Sequence, residues 1–108
     1  MKGTILPGGG DWLLLRADGT LQLDVRATLK TDDDALIYMT YQGFRHGPPA
    51  VMERLNKGEE VDPSEYYFRV APFFETGAEK YDWLNRVVSV GTGNRLTSGP
   101  VYEIYQIL

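Results

Sequence analysis

The sequence predicts an all-β protein: a small antiparallel β-barrel, or a barrel-like sheet, with one short helix. Three observations point there. Residues 20–30 alternate cleanly between apolar and polar side chains. Turn-forming clusters of Asp, Gly and Pro separate short runs rich in β-branched and aromatic residues. Only Pro48–Gly58 carries both a helix start signal and a helix stop signal.

The elements follow in order. Trp12–Arg16 is a short apolar strand after the loop Gly8-Gly9-Gly10. Ala17-Asp18-Gly19-Thr20 places an Asp-Gly turn between two apolar runs, the signature of a hairpin. In the second strand Leu21, Leu23, Val25, Ala27 and Leu29 share one face, and Gln22, Asp24, Arg26, Thr28 and Lys30 share the other. Thr31-Asp32-Asp33-Asp34 is a turn, because Asp side chains bond their own backbone there. Leu36–Gln42 is a third strand, and Phe44–Pro48, with the chain's one histidine, His46, reads as a loop. The helix over Pro48–Gly58 sets Val51, Met52 and Leu55 on one face. Tyr66–Glu75 and Trp83–Gly91 are strands four and five, with Pro72 demoting the middle of the fourth to an edge, a bulge or a bend. Thr92–Pro100 reads as a loop and Val101–Ile107 as the last strand.

The 108 residues make one domain the default, spanning 1–108. A net charge of −4, with no basic run, speaks against nucleic acid as a partner. Without cysteine there is no disulfide, thiolate nucleophile or zinc–sulfur site, which suits a cytoplasmic protein. No apolar run is long enough for a membrane span, and the N-terminus lacks a signal-peptide core. No cofactor signature is present, and the consecutive Asp32–Asp34 lack metal-ligand spacing. Six strands fall short of the roughly eight that enclose a small ligand. Either strands lie hidden in the loops, or the barrel is small and filled, or a partner chain completes it.

Several segments resemble one known family in order and spacing: Leu6-Pro7-Gly8-Gly9-Gly10-Asp11-Trp12, Asp24-Val25-Arg26, Thr31–Ile37, Tyr67-Phe68-Arg69, Phe74-Glu75-Thr76-Gly77, Tyr81–Asn85 and Val90–Gly93. The sequence is similar in this way to the bacterial family known as domain of unknown function 3237, or uncharacterised protein family 0311, from about Gly3 to the C-terminus. The resemblance implies a calycin-like antiparallel barrel and no established activity. It also implies a strand-bearing segment ahead of the Leu-Pro-Gly-Gly motif, where this chain has only Met1–Ile5. An open sheet, a strand-exchanged homodimer and a shortened start are the alternatives this leaves.

The candidate pocket comprises Asp24, Arg26, Tyr67, Arg69, Glu75, Trp83 and Asn85. Asp24 and Arg26 lie on the polar face of strand two, which lines a lumen if the apolar face packs outward, and is otherwise a solvated face. Arg69 and Glu75 sit among aromatics, where an unpaired charge is costly, so Arg69 is expected to pair with Glu75 or Asp24. An Arg can hold a carboxylate or enolate and a carboxyl can move a proton, so isomerase- or cyclase-like chemistry on a small organic ligand is one reading. Tyr38, Tyr67 and Trp83 would wall such a pocket, or belong to the core. The other reading is a structural or interaction module acting as a homodimer, since open sheet edges need cover.

Overall fold

The axis of the sheet is β3 (Leu21–Thr31), a long strand paired along both of its edges. One edge carries β4 (Leu36–His46) along its length. The other is shared by two shorter strands, β1 (Gly3–Ile5) and β2 (Gly10–Leu15), separated by Leu6–Gly9. Beyond β4 follow β5 (Tyr67–Glu75), β6 (Val88–Leu96) and β7 (Gly99–Ile107), so that seven antiparallel strands form one sheet. The computed structural model describes residues 1–108.

Alternation decides the two faces. On one, Leu23, Val25, Tyr41, Phe68 and Val70 are buried together with Leu55 of helix α1 (Pro49–Asn56) and Val61. On the same face Ile37 packs with Tyr81 and Leu84 of a 3-10 segment at Glu79–Arg86. Both helical pieces therefore cover the core face, and the opposite face is bare. Tyr102 of β7 meets Tyr41 of β4 edge-on at 5.2 Å between ring centroids, although β5 and β6 lie between them. Glycine permits this approach: a Cβ on Gly93 of β6 would lie 2.7 Å from Cγ of Phe68.

The sheet is an open half-barrel. Only 18 of 108 residues are buried, and the radius of gyration is 15.0 Å, against about 13 Å for a compact domain of this length. Both sheet edges are unpaired, and Leu13, Leu14 and Leu15 of β2 are 58–71% exposed. No helix is long and apolar enough to cross a membrane.

Several expectations are corrected. Seven strands form rather than six, the extra one being β1. Trp83–Val87 is not strand: Glu79–Arg86 winds into 3-10 turns, which bury Tyr81 and Leu84 and leave Trp83 half-exposed. Residues 92–96 and 99–100, read as loop, are paired strand, because Gly91 and Gly93 serve close packing rather than a turn. Phe44–His46 continues β4, paired with Tyr67–Arg69. Pro72 sits buried in the middle of an interior strand. Pairing between β5 and β6 is confined to Arg69 and Val70, so the missing Pro72 N–H interrupts nothing there.

Candidate functional site

The bare face gathers the even-numbered residues of β3 and β4 and the odd-numbered residues of β5. Four main grooves open on it, one of them, about 280 Å³, at Arg16, Thr20, Phe44, His46 and Tyr67. The largest, about 550 Å³, lies over β4 and β5 between Gln22, Gln42, Phe44, Tyr67, Arg69 and Val90. A second, about 230 Å³, runs from the glycines 8–10 past Trp12 and Arg26 to Tyr38. A third, about 520 Å³, lies at the other end of β5, beside Tyr38, Leu36, Glu75 and Thr76.

Five of the seven expected pocket residues stand on this face. Register places Asp24 beside Trp12 and Gln42. Arg26 spreads its guanidinium 5.7 Å from the Trp12 ring centroid. Tyr67 and Arg69 line the largest groove, and Glu75 the third. The expected pairing of Arg69 with Glu75 or Asp24 does not form, as no carboxylate lies within 4 Å of Arg69. Six residues along a strand separate Arg69 from Glu75 by about 20 Å, and two strands plus two residues separate it from Asp24 by about 12 Å. Both Arg69 and Glu75 are exposed, which removes the need for a buried partner. Arg69 instead lies 5.3 Å from the Tyr67 ring centroid and donates from Nη1 to the Phe68 carbonyl at 2.9 Å.

Trp83 and Asn85 are off this face. Asn85 is a clamp for the chain after β5. Its Oδ1 accepts from the Thr76 N–H at 2.8 Å, and its Nδ2 donates to the Thr76 carbonyl at 2.8 Å. Asp33 has a related structural role. Lys80 donates to it at 2.8 Å, with Thr31 and Tyr81 also donating, and these bonds hold its carboxyl well below the usual carboxylate range. The triple-Asp turn is thereby tied to the 3-10 segment, and no cluster of acidic or histidine side chains forms a metal site.

Phe44 and His46 belong to the site and were hidden by the loop reading. The period-two pattern from Tyr38 through Thr40 and Gln42 runs straight on to them. His46 stacks on Tyr67 at 4.8 Å between centroids, with 19° between the rings. Arg16, just beyond β2, lies 4.9 Å from the Phe44 centroid.

On the core face, burial pushes the hydroxyls of Tyr41 and Tyr102 above the ordinary tyrosine range and holds Arg45 below its own. The Tyr102 hydroxyl and Arg45 Nε are buried without a partner. None of these groups lines the grooves of the bare face, and they belong to the packing of the core.

Comparison with known proteins places this geometry in context. The family model described as "Protein of unknown function (DUF3237)" matches residues 1–107. A UPF0311 protein of Rhodopseudomonas palustris is 36% identical over 108 residues, which is all of this chain and 71% of that protein. A crystal structure of a protein of unknown function from R. palustris superimposes with a TM-score of 0.93 at 37% identity, over 98% of this chain and 71% of that one. A β-barrel-like protein from Acinetobacter baumannii superimposes with a TM-score of 0.79 at 42% identity, over 96% of this chain and 66% of its own. The hydroalkoxylation enzyme phnH of Penicillium herquei is 33% identical over 106 residues, covering 97% of this chain and 55% of that enzyme.

Proposed function

We propose that this chain, which belongs to the DUF3237 family of proteins of unknown function, binds a small organic molecule on the bare face of its sheet. The observation that carries the reading is that the four main grooves share that one face, opposite the core. Ligand sites combine apolar walls with a few convergent polar groups. The groove over β4 and β5 has that make-up, with Phe44, Tyr67 and Val90 as walls and Gln22, Gln42 and Arg69 as polar contacts. The sheet curls toward its helix-covered side, since Tyr102 of β7 reaches Tyr41 of β4 and Phe68 of β5 across that face, so the grooves open on the outer, convex side.

The chemistry that fits is isomerase- or cyclase-like proton transfer. The relative phnH is a hydroalkoxylation enzyme. Intramolecular addition of an alcohol across a carbon–carbon double bond is itself an isomerisation. One O–H bond and one π bond break, one C–O and one C–H bond form, and no oxidant or reductant is needed. Asp24, opposite Gln42, is the carboxylate nearest the groove in register and would take and return the proton. Where the double bond is conjugated to a carbonyl, the addition passes through an enolate, which Arg69 would stabilise until the carbon takes the proton.

The reading is tested with backbone amide NMR of the whole chain and a panel of aromatic fragments at millimolar concentration. Shifts should centre on Gln42, Phe44 and Arg69. Shifts confined to α1 and the core face, or none with any fragment, would reject the reading.

A second reading rests on the unpaired edges. Exposed Leu13, Leu14 and Leu15 beside the open edge of β2 favour a homodimer in which a second copy covers that edge. Light scattering at micromolar concentration should then give twice the mass of the chain, and a clean monomer would rule it out.

A further inference from the structure

We propose that the ligand of the groove over β4 and β5 is a planar anion, an aromatic or conjugated carboxylate or enolate, gripped between Arg69 and Arg16. This rests on the groove being the binding site and assigns its ligand class. Four side chains form one patch by register: Phe44 is opposite Arg69, and His46 is opposite Tyr67. Arg16 joins them from the turn after β2, lying over Phe44, as Arg69 lies over Tyr67. The largest groove and a smaller one of about 280 Å³, bordered by Arg16, Thr20 and His46, both include Phe44 and Tyr67. They are two ends of one trough.

The charge there runs against the rest of the molecule. The chain carries a net −4. Its five ion pairs engage Lys30, Arg54, Lys57, Lys80 and Arg86, and none engages Arg16 or Arg69. Asp18, the acid nearest Arg16 in the sequence, turns its Oδ1 to the Thr20 N–H at 2.9 Å. Two guanidiniums thus flank an aromatic floor, with no carboxylate within 4 Å of either. A guanidinium has five donor N–H groups. Arg69 gives one nitrogen to the Phe68 carbonyl, leaving donors for an oxyanion. Rings beneath the guanidiniums hold them flat, and the guanidinium planes offer a stacking surface to a planar ligand. Inorganic phosphate would meet the charges but leave those planes uncovered.

The test compares 2-naphthoate with its neutral isostere 2-naphthamide, both titrated into the full chain by NMR. Naphthoate should bind about tenfold tighter, the scale of one charge-assisted contact. Arg69→Gln and Arg16→Gln should each lower naphthoate affinity several-fold and leave naphthamide unchanged. Both arginines lie off the core face, and an amide spectrum of each variant verifies that the fold persists. Equal affinity for the two probes at the groove would overturn the anion assignment while leaving the site intact. No binding of either would overturn both.

Discussion

Gly93→Ala tests the packing that lets β7 reach β4. A Cβ at this position would lie 2.7 Å from Cγ and 2.8 Å from both Cδ atoms of Phe68. Ordinary contacts begin near 3.4 Å, so the ring must retreat by about 0.7 Å. It has little room, being 1% exposed, edge-on to Tyr102 at 5.4 Å and 5.8 Å below the Arg45 guanidinium. Overpacking of this kind costs about 1–3 kcal/mol. Phe68→Leu removes the obstructing ring and, by shrinking a buried side chain, costs about 1–2 kcal/mol alone. The double variant should then be more stable than the sum of the single losses implies, by at least ~1 kcal/mol. Urea melts of the wild type and three variants supply the cycle, with midpoints read at a common slope. Additivity within about 0.5 kcal/mol would refute the steric account, because distant, independent sites behave in that way.

Asn85→Ala should cost about 1–2 kcal/mol through its two bonds to Thr76, lower Tm by several degrees and speed amide exchange over residues 76–86, with groove binding unaffected. Glu75→Gln should leave Tm within about two degrees of the wild type, because Glu75 is exposed and has no ion-pair partner; a large drop in thermal melts would reveal a hidden one. Gly58 ends α1 at φ +82°, with Gly58 N–H bonded to the Leu55 carbonyl and Glu59 N–H to that of Arg54, so Gly58→Ala should cost about 1 kcal/mol in a urea melt. Asp33 has its carboxyl pKa depressed in the fold, so its contribution is present above the unfolded value of about 3.9 and fades as pH falls. The stability gap between wild type and Asp33→Asn should therefore be widest near pH 7 and shrink on acidification; a gap independent of pH would contradict this.

What could be read in advance was the alternation. It put Leu23 and Val25 inward and Asp24 and Arg26 outward, and set Phe68 and Val70 against Tyr67 and Arg69, as the sheet does. What could not be read were glycines with two meanings. Gly43 and Gly93 look like strand breakers, yet each is a point of close approach inside a continuous strand, and ending the third strand at Gln42 hides Phe44 and His46. Trp83–Val87 failed for a different reason. Its residues favour strand locally, but the apolar cluster of Ile37 needs Tyr81 and Leu84 above it, and only a helical path brings both there. The Arg69–Glu75 pair failed on distance alone: sharing a face of a strand does not bring residues six apart together.

The division of the sheet into a packed side and a bare side bears on how such a chain can diversify. Consecutive residues of β3, β4 and β5 alternate between holding the fold and lining the grooves. Substitutions at every second position can then reshape ligand preference with little effect on folding. Loss or gain of a single residue within these strands would exchange the two sets, turning Leu23 and Phe68 to water and Asp24 and Arg69 into the core. Length changes should be confined to the turns among related chains, while changes on the groove side of each strand follow the ligand rather than the fold.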